Sequence, residues 1–563
     1  MSLSIESRKE KKVKNFKPEH WDQEADILVV GSGAAGSSAA LNAFEKGASV
    51  IMIEKRNRYG GTTEKSGGVF WIPNNTFLRA KGVADKREDA LRYMARLAYP
   101  TLYNPDDPNF GLNKSQFDLI AAYYDNATKA IETLQAVKAL DPTPWISWDG
   151  QFMPDYYAHI EENKVPRGRA LVPRDPTTGK GVTKGFELIR QLRTAVEARG
   201  IPVFLNHRAH KLITNDNGKI IGLEVLNENS ELVYFRAKKA VIFGSGGFTH
   251  NPEFRLNYLR GPVFGGCAVP TNEGDIIPIA SEVGAKLVNL ANAWWAQVVF
   301  EEVLATPSPA TDIFLVPGDS MIEVNKYGNR VMDEKAVYNE RTQMHFVWDP
   351  LRGEFPNLFL FMIYDDRAAK IWGAFPPGAG YPFPRTGEEN PYVIKGNTLE
   401  ELTQAIEARL TQLSAHTGNY HLDTYFLTNL KESIARFNKY AEKGVDEEFH
   451  RGEVPIDLAY NGPPAKGHDK PNITMYPISQ NGPYYAIIIA GGTLDTKGGP
   501  KINIRAQILN RYDEPIPGLY GAGNCIGSPA GQAYWAGGGT IGPALTFGYI
   551  AANNAVLEPE KPE

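Results

Sequence analysis

At 563 residues the chain is longer than one hydrophobic core sustains, which calls for two interleaved domains. Hydrophobic residues make up 42%, aromatics 11% and charged residues 22%, ordinary globular values, and a net charge of -5 removes any electrostatic case for nucleic acid. Two cysteines, Cys267 and Cys525, are too few for a disulfide framework or a zinc or iron–sulfur site, so no metal is expected and the compartment reads as reducing.

Residues 1–19 begin MSLSIESRKEKKVKNF, which has no apolar signal-peptide core and reads as a solvated arm, in keeping with a cytoplasmic protein. Apolar runs such as Ala486–Ala490 and Leu358–Ile363 are far shorter than the roughly 20 residues of a membrane helix, so no transmembrane segment is expected. The short apolar strand Asp26–Val30 leads into GSGAAG, then a helical pattern through Phe44, then ASVIMIEK as a second strand ending in Glu54. That is a βαβ unit for a dinucleotide. Gly31, Gly33 and Gly36 serve a tight turn, close backbone approach to a pyrophosphate, and helix packing, with Ala34 and Ala35 between them at the helix start. Glu54, about twenty residues further on, is placed to accept from an adenosine ribose, with Lys55 beside it.

The next stretch, RNRYGGTTEKSGG, supplies Gly60, Gly61, Thr62, Thr63, Ser66, Gly67 and Gly68 where glutathione-reductase-like FAD proteins carry a second phosphate-and-flavin loop. PVFLNHRAHKLI, with Ala209, and KKAVIFGSGGF, with Gly246, flank the turn Asn217-Gly218 and extend the sheet. The middle of the chain holds two helical patterns, TLEELTQAIEARLTQLSAH and LKESIARFNKYAEKG, and the Pro/Gly connector GAFPPGAGYPFP. PIPGLYGAGN, ending in Gly523 and Asn524, returns to the first domain. A helix starting near Thr540, next to Gly539 and Ile541, should aim its N-terminus at a flavin ring. The expected fold class is α/β: a split Rossmann-like FAD-binding domain (20–288 and 480–563) with an inserted α+β catalytic, capping domain (289–479). Ligand sites favour such interfaces.

The split domain, the GGTT loop and GLYGAGN resemble the succinate dehydrogenase and fumarate reductase flavoprotein superfamily across almost the whole chain. Tyr59–Gly68 lacks the histidine through which covalent members attach their cofactor, so the resemblance implies non-covalent FAD. Within that superfamily AYWAGGGTIGPALTFGY looks like the C-terminal motif of 3-ketosteroid Δ1-dehydrogenases, a tyrosine followed four residues later by glycine, here Tyr534 and Gly538. VNKYGNRVMDEKAVYNE matches the segment of that family's general base at Tyr338, and MPDYY supplies a third tyrosine at Tyr156.

The resemblance implies FAD-dependent desaturation of a cyclic ketone, most of all 1(2)-dehydrogenation of a 3-ketosteroid. Tyr534 and the Gly538 N–H would hold the ketone oxygen, Tyr338 would take the proton, and Tyr156 would assist. A phenol titrates near about 10, so Tyr338 needs that help. The partners implied are the small-molecule ketone and an external, quinone-like electron acceptor. A smaller cyclic ketone, or fumarate-reductase-like alkene reduction with an arginine at the flavin face, are the alternative reactions. A flavin-binding redox sensor would instead show no cavity. Trp535 and Ala536 replace the family's proline and glycine, a departure that reshapes the pocket mouth, and in the smaller-ketone alternative a bulky Trp535 closes the pocket. His345 reads as structural, Arg341 as part of a surface salt bridge, and Trp71, Trp294 and Trp295 as core or pocket wall.

Overall fold

The computed structural model describes residues 17–306, 308, 316–372 and 389–560. Most of the N-terminal arm and the connector GAFPPGAGYPFP lie outside them. The first sheet grows from the βαβ unit. The strand Gln23–Val30 pairs in parallel with Val50–Ile53 on one side and with Leu232–Phe243 on the other. Burial of both faces explains why the run ILVV needs no polar alternation. Val203–Phe204 extends one edge, Pro515–Gly521 and Gln507–Leu509 the other, and the hairpin Arg208–Thr214/Ile220–Leu226 branches off Leu232–Phe243.

Two helices seal this sheet. Ala34–Glu45 and Ile541–Ala555 lie close together because their facing residues are small: a Cβ on Gly548 would stand 2.5 Å from the Ala35 carbonyl oxygen. The Ser38 hydroxyl donates to the Leu545 carbonyl at 2.7 Å. The C-terminal segment is thereby fixed onto the N-terminal βαβ unit, although more than five hundred residues separate them.

The second sheet is built around one strand, Tyr484–Thr496, which pairs with Gly265–Gly266, Ala293–Val299, Phe359–Asp365 and Ile394–Gly396. Period two sorts its residues. Ala486, Ile488 and Ala490 pack with Phe359, Phe361 and helix residues Leu402, Ile406 and Leu430, while Ile487 and Ile489 pack on the other face with Leu360, Met362 and Val316. The helices Leu399–Gln412 and Phe426–Lys443 cover the first of these faces. Strand pairing therefore carries the second layer through Thr496, past the expected boundary at 479, and the chain rejoins the first sheet only at Gln507–Leu509. An apolar run such as AIIIAGG has no mark of which sheet it joins; its partners decide.

Candidate active site

Two cavities adjoin where the sheets meet. The first opens at the carboxyl ends of the parallel strands and is lined by Gly31, Gly33, Ala34, Ala35, Glu54 and Lys55, by Gly61, Thr62 and Thr63, and by Ala209, Gly246, Gly523, Asn524 and Ile541. Gly31 adopts φ +99°, and a Cβ there would lie 2.4 Å from the Gly244 carbonyl oxygen, so the turn into the helix Ala34–Glu45 closes only with glycine. The Glu54 carboxylate accepts from the Ser32 amide at 3.0 Å, the Ser32 hydroxyl at 2.6 Å and the Arg56 amide at 2.8 Å, which holds it rigid on the cavity wall. Lys55 is paired with Asp275 at 3.1 Å and with Glu273. A glycine-lined helix N-terminus beside a fixed carboxylate suits the pyrophosphate and ribose of FAD. Gly36, Gly60 and Gly539, expected on this wall, line neither cavity; Gly36 packs against the Gly31 carbonyl, where a Cβ would stand 1.9 Å away.

The second cavity encloses about 780 Å³. Ser66, Gly67 and Gly68 line it, and so do Tyr156, Tyr338, Tyr534 and Gly538. The three tyrosines come from three parts of the chain and pack edge to face: ring centroids are 5.7 Å apart for Tyr156–Tyr338, 5.2 Å for Tyr156–Tyr534 and 5.6 Å for Tyr338–Tyr534. The Tyr156 and Tyr338 hydroxyls are hydrogen-bonded to each other. The Thr540 hydroxyl donates to the Tyr534 oxygen at 3.3 Å. Gly538 has φ +90°, and its carbonyl accepts from the Trp71 amide at 3.0 Å; a Cβ would stand 2.6 Å from the Phe70 and Trp71 nitrogens.

Each tyrosine is anchored from behind. Tyr338 opens the helix Tyr338–Gln343, and the Thr342 hydroxyl donates to its carbonyl at 2.7 Å. The Tyr156 amide donates to the Trp535 carbonyl at 3.2 Å. Its neighbour Asp155 accepts from Arg169 at 2.6 Å and from the Trp71 indole at 2.8 Å, and Arg169 also forks onto Asp85. Burial raises Asp155 to about 6 against the pull of Arg169. Tyr534 rests on Trp294, with ring centroids 4.8 Å apart. Burial holds Tyr338 and Tyr156 well above the ordinary phenol range; for Tyr338 its tyrosine neighbours Tyr534 and Tyr460 add to this, and the bond from Tyr156 opposes it. Tyr534 is raised by burial too, against hydrogen bonds from Thr540, Tyr338 and Tyr156.

Two sequence expectations are corrected. Arg341 is 1% exposed, paired with buried Glu323 at 3.3 Å and bonded to Gln297, so it forms an interior ion pair and no surface bridge. Trp535 is absent from the described cavity wall: it stacks on Tyr123 at 5.7 Å, lies tilted against Trp71 at 5.5 Å and donates to the Met94 carbonyl, so its bulk fills core. His345 is structural, bonded to the Leu358 carbonyl at 3.1 Å and to Gln297, with burial lowering it to about 4.

Sequence reasoning missed Tyr460, Asp495 and Lys497. The Tyr460 hydroxyl donates to Tyr156 at 3.0 Å and lines the second cavity, from a helix whose sequence, PIDLAYN, carries no motif. Lys497, wholly buried, donates to the Gln532 and Ala533 carbonyls at 3.0 and 2.8 Å and lies 4.1 Å over the Trp294 ring. Charged residues at the end of an apolar strand run were the available signal.

A family model described as FAD binding domain matches residues 26–541. The chain is 33% identical to the 3-oxosteroid 1-dehydrogenase of Mycolicibacterium smegmatis, over 94% of this chain and 97% of that one. It is 27% identical to the 4-oxocyclohexanecarboxylate 2-dehydrogenase of Sinomonas cyclohexanicum, over 93% and 92%. Among solved structures, the 3-ketosteroid Δ1-dehydrogenase of Sterolibacterium denitrificans in complex with 1,4-androstadiene-3,17-dione matches with a TM-score of 0.77 at 26% identity, covering 95% of this chain and 99% of that one.

Proposed function

The chain belongs to the FAD binding domain family and is an FAD-dependent oxidoreductase, and from that premise we propose that it introduces the 1,2-double bond into a 3-ketosteroid. The observation that carries this reading is the meeting of Tyr338, Tyr156, Tyr534 and Gly538 on one wall of a cavity of about 780 Å³. Cavities of roughly 300–1,000 Å³ take drug-sized ligands, and this one, lined also by the flavin-loop residues Ser66, Gly67 and Gly68, has to take the flavin ring as well as the substrate. Its far walls are apolar, from Trp145, Ile146, Trp148, Met153, Phe186 and Leu494, which suits a fused hydrocarbon skeleton. The relatives' names point the same way.

In this reading the Tyr534 hydroxyl and the Gly538 N–H donate to the ring ketone, where each donor is worth about 3 kcal/mol as negative charge gathers on oxygen. Tyr338 takes the proton from the carbon beside the ketone. Held far above the range in which a phenol ionises, it cannot wait as phenolate, so it passes its own proton to Tyr156 as it accepts the substrate's; with the Tyr460 hydroxyl, which donates to Tyr156 at rest, turned to accept, Tyr156 passes its proton on and half-buried Tyr460 releases its own to solvent. Bound FAD supplies the hydride acceptor. Glycine-rich contacts to the first cavity hold it without a covalent bond, since residues 59–68 contain no histidine. Reduced enzyme then hands its electrons to an external, quinone-like acceptor.

The smaller-ketone reading predicted a truncated cavity closed by Trp535, and the core position of Trp535 favours the steroid. Alkene reduction would use an arginine on the reacting face; Arg341 is committed to Glu323 instead. The test is anaerobic mixing of the holoenzyme with androst-4-ene-3,17-dione and, separately, cyclohexanone, following flavin bleaching. Bleaching by the steroid with a new ring double bond is expected. Bleaching by cyclohexanone alone would move the substrate class, and bleaching by neither would overturn the reaction.

A further inference from the structure

Six residues line both cavities: Thr62, Thr63, Asp495, Asn524, Thr540 and Ile541. A flavin held in the first cavity that exchanges electrons with a molecule in the second must present its reactive ring to this junction. One of the six is titratable. Asp495 is 1% exposed, and its carboxylate takes five donors: Oδ1 accepts from the Thr496 amide at 2.9 Å and the Thr249 hydroxyl at 3.1 Å, and Oδ2 accepts from the Gly247 amide at 2.9 Å, the Asn272 amide group at 2.8 Å and the Asn524 amide group at 3.1 Å.

Four of those donors are N–H groups that can accept nothing, so a proton on this carboxyl would be set against them, whereas the charged form satisfies all five. Burial works the other way and raises the group above the usual carboxylate range, but the donor set is arranged for the anion. Among the described residues no cation pairs with it. Lys497, just past the end of the same strand, is committed to the Gln532 and Ala533 carbonyls and to the face of Trp294, whose indole N–H in turn donates to Asn524 at 3.0 Å.

We propose that Asp495 is a redox-tuning residue: an anionic carboxylate fixed where the cofactor and substrate cavities meet, which lowers the midpoint potential of the bound FAD. A reduced flavin carries extra negative charge, and an unpaired carboxylate in a water-poor site disfavours it. The reduced enzyme is thereby poised to reduce acceptors of lower potential than an unperturbed flavin could serve. This inference rests on FAD in the first cavity and is independent of which ketone fills the second, so its failure and a failure of the steroid reading show up in different experiments.

The test is a spectroelectrochemical titration of FAD-loaded wild type and Asp495→Asn. The midpoint potential of the variant is expected to rise; an unchanged or lower potential overturns the proposal. Should Asp495→Asn not retain FAD, Thr249→Val keeps the charge and removes one donor from it. Its potential is expected to fall, and a rise or no change overturns the proposal equally.

Discussion

Replacing Tyr338 by phenylalanine deletes one oxygen from a wall that otherwise stays in place. The ring is 4% exposed and packs edge to face on Tyr156 and Tyr534, contacts that do not need the hydroxyl. Tyr156 loses one partner but keeps Tyr460 at 3.0 Å, so the stability cost is that of one hydrogen bond, about 1 kcal/mol. The cost to the reaction is of another order. Removing a positioned base lowers a rate roughly 10²–10⁴-fold, which at about 1.4 kcal/mol per decade is about 3–5 kcal/mol. Anaerobic stopped-flow mixing with androst-4-ene-3,17-dione separates the two, because the flavin-bleaching rate reports the chemistry and its dependence on steroid concentration reports binding. The expected result is bleaching slowed by about 10² or more with steroid affinity within about threefold of wild type. Bleaching within about tenfold of wild type would refute Tyr338 as the base, and a loss carried wholly in affinity would reassign it to packing. Tyr460→Phe in the same experiment should slow bleaching by less, roughly tenfold, and alter its pH profile, because it cuts the outward path of the proton while leaving the first transfer intact.

Three further outcomes are expected. Gly538→Ala forces a side chain into φ +90° with backbone atoms 2.6 Å from its Cβ, which should cost about 1–3 kcal/mol in urea unfolding and lower kcat/KM together with it. Lys497→Met leaves the Gln532 and Ala533 carbonyls without their buried donor and loosens Tyr534; kcat should drop about tenfold with KM changing less, and Lys497→Arg should recover part of the loss, since a guanidinium can serve both carbonyls. His345 is buried neutral with a pKa of about 4 against about 6.5 when unfolded, so its contribution is present above about pH 6.5 and is lost as pH falls towards 4. That loss is on the order of 3 kcal/mol, and urea midpoints measured at pH 7 and pH 4.5 should converge in His345→Gln relative to wild type.

Much of the fold was legible because its signals are local. The spacing of Gly31, Gly33 and Gly36 between two apolar strands reports a turn, a phosphate approach and a helix contact, all within one βαβ unit, and Gly31 and Gly36 sit where a Cβ would collide with backbone. Tyr156, Tyr338 and Tyr534 came from resemblance, and the structure brings them to within ring contact of one another. What could not be read was long-range. Arg341 looks like any helix-surface arginine until the strand Met321–Val324 places Glu323 beside it in the interior. Trp535 looked like a lid because it follows Tyr534, but the next residue along an irregular loop points wherever its backbone sends it, here onto Trp71 and Tyr123. Tyr460 sits more than three hundred residues from the tyrosine it bonds, and nothing in its own segment announces that.

The strand Tyr484–Thr496 shows how such long-range placement makes a site. Along most of its length it obeys period two and simply separates two hydrophobic layers. Near its end the register against Ala293–Val299 slips: Trp295 opposes Thr493, but the next residue, Trp294, opposes Asp495, leaving Leu494 as the extra residue of a bulge. A bulge re-aims the side chains after it, and these are the ones that reach the site. Leu494 joins the apolar wall of the second cavity, Asp495 reaches the junction of both, and Lys497 turns beneath the loop of Tyr534. Without the slip Asp495 would exchange faces, and a buried carboxylate would leave its five donors for a hydrophobic layer. The bulge and the polar pocket therefore depend on each other, and shortening the strand by deletion of Leu494 should abolish FAD retention as well as turnover, measured as the flavin absorbance of the purified protein.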